Sequence, residues 1–327
     1  MRMARSSVNS KPWWRLLVRS IVVLAVAFAG AGIASQAAFQ EKPPQPLAES
    51  QNFWQQKTAA TIENTSKPEN KNTNNTTETN TGYPTADIKT NASAYLVSDL
   101  KSGQILAAKN PNQKQPIASL TKLMTAVVAH EAIGNNTSIT ISDSAVATYG
   151  GSGGLTVGTT LSLRTLYRPL LLSSSNDAAT AIAEKSGVGR FRNLMNRKAL
   201  AIGMNNTRFA DASGLSDRNV STVTDLGRLA RYIHNHNQFI FDITADAQQT
   251  VAARQSGPRQ YVNNNPIHTE PGFVGGKNGY TDFAQHTALS VFNITKDGRS
   301  RSVVIVTLGS SQAAEDTRKL VSWTKRQ

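Results

Sequence analysis

Ser119 and Lys122 stand three residues apart at the start of an apolar helical pattern, a spacing that puts both side chains on one helix face. A neutral amine placed there takes the proton of a serine hydroxyl without help from a histidine. Ser-x-x-Lys alone is common, and a serine before a helix ordinarily serves as an N-cap. The pair carries weight because two further polar elements follow in order: Ser174-Ser175-Asn176 and Lys277-Asn278-Gly279. A serine at a helix N-terminus sits in a field that favours a developing alkoxide, and its amide can serve an oxyanion hole. Lys122 acts as a base only when uncharged, which requires burial or a second cation nearby. In this constellation Ser174 relays a proton and Asn176 hydrogen-bonds a substrate backbone. Lys277 holds a carboxylate, and Gly275-Gly276 before it allow a substrate backbone to approach closely. Taken singly, Ser174 to Asp177 reads as a polar turn capping the next helix, and Lys277 to Gly279 as a strand-end turn.

The elements that must position these residues are legible from Ala92 onward. Ala94 to Val97 and Gln104 to Ala108, joined by Asp99-Leu100-Lys101-Ser102-Gly103, read as a β-hairpin. Ser119 to Ile133 reads as a helix with an apolar stripe of Leu120, Leu123, Met124, Val127 and Val128, closed by Gly134. Leu163 to Leu172 is helical in pattern, but Pro169 should kink it or force a later start. Asn176 to Ser186, Arg190 to Ile202 and Thr222 to Ile233 are further helices, the last with Thr222 and Asp225 spaced as a capping box. Phe273 to Lys277, Thr287 to Ile294 and Ser302 to Leu308 read as strands, and Gln312 to Lys325 as a closing amphipathic helix. Short turns between the late strands imply a mostly antiparallel sheet. The expected fold is mixed α/β: that sheet flanked by helices, with a helical subdomain.

The chain has 327 residues and no cysteine, which excludes disulfides, thiol catalysis and Cys-ligated zinc. His130, His234, His236, His268 and His286 show no metal-ligand spacing, so no cofactor is expected. Net charge is +14, and from Ser93 onward 25 basic residues face 15 acidic ones. Such a surface is either simply solubilising or attracts a polyanion such as anionic lipid or cell wall. The basic residues are dispersed, aromatics make up 6%, and no nucleic-acid-binding motif occurs.

Residues 1–19 form a basic leader with Arg2, Arg5, Lys11, Arg15 and Arg19, followed by an uncharged stretch over residues 20–40. That stretch is long enough to span a bilayer, and the flanking charges would hold the N-terminus in the cytoplasm and place the remainder outside. A cleaved signal peptide, with Ser35-Gln36-Ala37 as cleavage site, is the rival reading; both export the domain. Residues 41–91 are rich in Asn and Thr and open with Pro43, Pro44 and Pro46. They read as a disordered tether reaching about 40 Å. Residues 92–327 then form the folded domain.

With these residues in view, the chain resembles the D-alanyl-D-alanine carboxypeptidases among the low-molecular-mass penicillin-binding proteins, serine peptidases related to the serine β-lactamases. The resemblance runs from about Ala94 to the C-terminus. It rests on Ile117 to Thr125, Ser175 to Ala179, Ser213-Gly214-Leu215, Ser221-Thr222 with Asp225-Leu226, and Gly275 to Thr281. It implies a β-lactamase/transpeptidase-like fold; the basic leader and apolar stretch place that fold at the cell membrane, with the catalytic domain extracytoplasmic. It also implies that Ser119 attacks the carbonyl between the terminal D-alanines of a peptidoglycan stem peptide. Lys122 and Ser174 would then manage protons, and Lys277 and Asn278 would bind the carboxylate. The oxyanion hole would use the amides of Ser119 and Tyr280, and β-lactams would acylate Ser119. A D,D-endopeptidase acting on cross-links is a close neighbour of this reading. Two features depart from the pattern. The third element usually has Thr or Ser where Asn278 stands, which leaves open a catalytically impaired wall-binding protein. Many relatives also carry a C-terminal β-domain and membrane helix, whereas here the sequence stops just after Trp323, so an N-terminal anchor is expected instead.

Overall fold

The computed structural model describes residues 88–253 and 257–327; the basic leader, the apolar stretch and nearly all of the polar tether lie outside them. The central sheet has five strands: β1 (Ala94–Asp99), β2 (Ile105–Lys109), β3 (Phe273–Thr281), β4 (Gln285–Lys296) and β5 (Arg299–Ser310). Their order is β2-β1-β5-β4-β3, and every neighbouring pair is antiparallel. The late strands are longer than the sequence pattern suggests because hairpin pairing continues into their polar ends.

Alternation along the strands gives the sheet two faces. Tyr95, Val97, Phe292, Ile294, Val303 and Ile305 pack with Leu320 and Val321 of the closing helix. Leu96, Leu289, Val291, Val304, Val306 and Leu308 join the larger core beneath the helical layer. That layer contains α1 (Thr121–Ala132), α2 (Leu163–Leu171), α3 (Asn176–Lys185), α4 (Val188–Ala201), α5 (Val223–His236) and α6 (Phe239–Ala245). The closing helix is α7 (Ala313–Arg326). Chain contacts begin slightly before the expected boundary: Ile88 packs on the α7 side, and the Asn91 amide donates to Asp316 Oδ1 at 3.0 Å.

Three expectations are corrected. The helix after Ser119 does not bury one stripe: every residue from Thr121 to Ala129 is buried, so α1 is a central helix enclosed on all sides. α2 begins at Leu163, capped by Ser162, and absorbs Pro169 in its last turn, where few further backbone bonds depend on it. Thr222 caps α5 as expected, but the Asp225 carboxylate does not return to the cap. It accepts instead from Asn206 N and Thr207 Oγ1, each at 2.8 Å, tying α5 to the loop after α4.

Candidate active site

The chain reaches the nucleophile through a strained turn. Ile117 is held twice: its amide donates to the Asn219 carbonyl at 3.0 Å, and its carbonyl accepts from Thr287 Oγ1 of β4 at 3.2 Å. Ala118 then adopts φ +47°, an uncommon conformation for a residue with a Cβ. Residues Ala118–Leu120 form a short 3-10 turn leading directly into α1. Ser119 is thus not the N-cap its position suggests, since no side-chain capping bond starts this helix. Its hydroxyl is free for Lys122.

Lys122 Nζ lies 2.9 Å from Ser119 Oγ, 2.7 Å from Asn176 Oδ1 and 2.6 Å from the Ser213 carbonyl. Its side chain has no exposed surface. Burial disfavours the ammonium and pushes the amine down to about 7, against the opposing pull of Asp211 and Asp177. The neutral form matches this setting. Its two N–H groups satisfy the two carbonyl oxygens, and its lone pair accepts the Ser119 proton.

The three acceptors come from three segments. Asn176 opens α3 behind Ser175, whose hydroxyl caps Ala178 N at 2.9 Å and donates to Asp177. Asn176 Oδ1 takes the lysine and Nδ2 donates to the Tyr149 carbonyl at 2.9 Å. Asn176, expected to hydrogen-bond a substrate backbone, thus also positions Lys122 through Oδ1. Ser213 lies in a loop wound on Asp211, which accepts from the amides of Ser213, Gly214 and Ser216, from Ser213 Oγ and from Asn219 Nδ2. Asn219 also closes the loop onto Ile117. The acceptor at 213 is a backbone carbonyl and leaves no mark in sequence; the Asp211-Ala212-Ser213-Gly214 turn chemistry was the available signal. Ser174 stands at the junction in the left-handed region, φ +58°, half-buried, and is not among the hydrogen-bond partners of Lys122.

β3 completes the cleft. A Cβ at Gly279 would lie 2.7 Å from Ser119 N and 2.8 Å from Thr287 Oγ1, so only glycine lets this strand close against the nucleophile turn. The contact places the backbone leading to Tyr280 beside the Ser119 amide. The Tyr280 side chain itself turns outward, its hydroxyl donating to Asp282 at 3.1 Å. Lys277 is buried, and its Nζ donates to the Asn278 carbonyl at 2.8 Å and to Asn278 Oδ1 at 3.2 Å. Burial, helped by repulsion from Lys122, holds this amine well below the ordinary lysine range. Gly275 does not face a substrate: a Cβ there would strike Phe241 Cβ at 2.6 Å, so its role is to seat β3 on α6. Among the described residues no group of three or more His, Asp or Glu side chains converges as a metal site.

A buried lysine on a serine hydroxyl, beside a second cation on an edge strand of this sheet, defines an acyl-serine hydrolase of the penicillin-recognising fold. The profile of the D-alanyl-D-alanine carboxypeptidase family matches residues 74–312. A D-alanyl-D-alanine endopeptidase of Pseudomonas aeruginosa is 40% identical over 139 residues, covering 41% of this chain and 44% of that protein. One of Haemophilus influenzae is 32% identical over 230 residues, covering 68% and 77%. The crystal structure of a D-alanyl-D-alanine carboxypeptidase from Mycobacterium tuberculosis superposes with a TM-score of 0.68 at 27% identity, covering 75% of this chain and 95% of that one. The chain belongs to the D-alanyl-D-alanine carboxypeptidase family.

Proposed function

We propose that this protein is a serine D,D-carboxypeptidase of peptidoglycan stem peptides. The observation that carries the reading is the contact of Ser119 Oγ with a desolvated Lys122 amine at 2.9 Å. Ser119 Oγ bonds to the carbonyl carbon between the terminal D-alanines while its proton passes to Lys122. The C–N bond then breaks, and the proton goes to the departing D-alanine nitrogen, with Ser174 as the relay. Water next cleaves the serine ester and restores the hydroxyl. The amides of Ser119 and Tyr280 hold the oxyanion; Lys277 and Asn278 face the terminal carboxylate. β3 is the outer strand of its sheet, so an extended peptide can align along its free edge. β-Lactams, which mimic D-Ala-D-Ala, acylate the same hydroxyl.

A D,D-endopeptidase is the second reading, favoured by the names of the two relatives above. A wall-binding protein with impaired chemistry is the third. Fluorescent penicillin separates them: label on Ser119, located by intact mass and peptide mapping, is expected, and its absence removes the enzyme readings. D-Alanine released from a pentapeptide marks the carboxypeptidase, and cleavage of a cross-linked dimer marks the endopeptidase.

The basic leader and the apolar stretch after it support a membrane tether with the catalytic domain outside the cytoplasm. No helix among the described residues is long and apolar enough to cross a membrane, so the tether rests on residues 20–40 alone. Recovery of the full chain in the membrane fraction, with the domain cleaved by protease added from outside, is the expected result.

A further inference from the structure

Three arginines outside the catalytic cluster converge on one groove, and among the described residues none of them has an ion-pair partner. Arg164 and Arg168 stand four positions apart on α2, so two positive charges share one helix face, an arrangement that costs stability. With Ser162, Thr165 and Gln249 they wall an open cleft of about 410 Å³ between α2 and the hairpin of residues 248–253 and 257–262. Arg259, on the second strand of that hairpin, walls a narrower cleft with Leu155, Thr156 and Tyr261. Thr165 and Val251 belong to both walls, so the two clefts form one groove. No Asp or Glu lies among the residues that wall it.

Neutral partners position these guanidiniums and leave their charge unanswered. Arg168 is half-buried; its Nε donates to Gln249 Oε1 at 2.7 Å and its Nη1 to the Arg164 carbonyl. Burial, and then repulsion from Arg164, hold it below the ordinary arginine range against the pull of Asp246. Asp246 is engaged elsewhere, accepting from Gln249 Nε2 at 2.5 Å. Arg164 is exposed, and its side chain donates to no described residue. Arg259 donates from Nη2 to Thr156 Oγ1 at 3.3 Å, and its Nη1 lies 2.7 Å from where a Cβ on Gly154 would stand. The loop under Arg259 leads to the active site: Gly153 N donates to Asp177 Oδ1 at 3.2 Å and Ser152 Oγ to the Ser173 carbonyl at 2.7 Å, on either side of Ser174 and Asn176.

We propose that Arg164, Arg168 and Arg259 form an exosite that holds the carboxylates of a neighbouring stem peptide of the wall polymer while the scissile dipeptide lies at Ser119. Planar guanidiniums grip carboxylates bidentately, and an arriving anion relieves the repulsion between Arg164 and Arg168. The groove adjoins the loop that packs on Ser173 and Asp177, so its occupant belongs to the same polymer as the substrate. Holding one peptide of that polymer raises the effective concentration of the next at the nucleophile without altering the chemistry.

The inference rests on the wall polymer as substrate, and the experiment keeps the two apart. Binding of the purified full chain, carrying Ser119→Ala so that nothing is cut, is measured by co-sedimentation with insoluble peptidoglycan. Arg164→Glu is the informative variant: the carboxylate it introduces pairs with Arg168 and suits the first turn of α2, so the thermal melt should not fall. Its dissociation constant is expected to rise about tenfold or more. Binding of the chain with native Arg164 is expected to survive acid removal of phosphate polymers from the wall, and to weaken by a similar factor once the wall carboxylates are converted to amides. With Ser119 in place, Arg164→Glu should react with fluorescent penicillin at the native rate. A dissociation constant within about threefold of native, binding indifferent to amidation, or binding lost with the phosphate polymers overturns the inference. Loss of penicillin labelling together with binding in Arg164→Glu overturns it as well, because that loss is structural. No label on the native protein removes the enzyme reading alone, since the binding measurement needs no catalysis.

Discussion

Lys122 and Lys277 are both almost wholly removed from solvent, yet their surroundings divide them. Lys122 lies in the helical layer, held by oxygens from the nucleophile turn, α3 and the Asp211 loop. Lys277 lies at the sheet edge, held by two oxygens of its own neighbour, Asn278. Three converging segments fix an amine within reach of one hydroxyl, which suits a base. Contacts to a single neighbour leave the second amine able to turn to an incoming group, which suits a shelf. Nearby carboxylates sharpen the difference: Asp211 and Asp177 temper the loss of charge at Lys122, whereas the neighbouring charge felt by Lys277 is Lys122 itself, which deepens it.

The sharpest break in this comparison is removal of the base. Lys122→Met should lower the rate of Ser119 acylation by penicillin by about 10³-fold. The fold should survive, because methionine fills a similar buried volume, at a cost of about 1–3 kcal/mol for the Asn176 and Ser213 oxygens left without a donor. A cooperative thermal melt, only modestly lower than native, measured beside the labelling rate, checks both halves. Lys277→Met should act differently, raising KM for an acid-terminated peptide by about tenfold or more with a smaller change in kcat. Equal losses in kcat from both variants would erase the distinction between base and shelf.

pH divides the two lysines without mutation. The base works unprotonated, so acylation should rise with pH through about 7. The shelf works protonated, so KM for an acid-terminated peptide should climb on the alkaline side, and earlier than an ordinary lysine would dictate. The same burial affects stability. The unfolded chain keeps both amines charged at pH values where the native amines have already lost their protons. Unfolding there binds protons, and stability rises with pH from about 7 toward the ordinary lysine range. Acylation rates and melts across that range test the two signs together.

What the sequence showed and what it hid follow from the range of each interaction. Ser119 with Lys122, and Lys277 with Asn278, were legible because the chemistry sits within one turn or one strand step. The amphipathic reading of α1 missed the enclosure of Lys122 because threonines and alanines are buried as readily as leucines when helices surround a helix on every side. The helix α6 and the hairpin of residues 248–253 and 257–262 lay in a stretch without a clear period. Phe239 to Ala245 is rich in aromatic and β-branched residues, and packing against β3 overrides that preference. The contact of Asn176 with Lys122 was not legible because it joins residues 54 positions apart.

The smallest expected effect lies at Asp211, and it tests whether the Lys122 side is more tightly built. Five donors converge on this carboxylate, so Asp211→Asn replaces one acceptor oxygen with an NH₂ that confronts N–H groups. Stability should fall by about 1–3 kcal/mol. Removing the negative charge also removes an attraction that holds the Lys122 proton, and a loosened Ser213 carbonyl weakens a hydrogen bond to the ammonium. Both losses favour the neutral amine, so the rising limb of the acylation profile should move to lower pH while its plateau changes little. A lower melt with an unmoved limb would show that the Asp211 loop supports the fold alone; a limb displaced to higher pH would contradict the electrostatic account of the base.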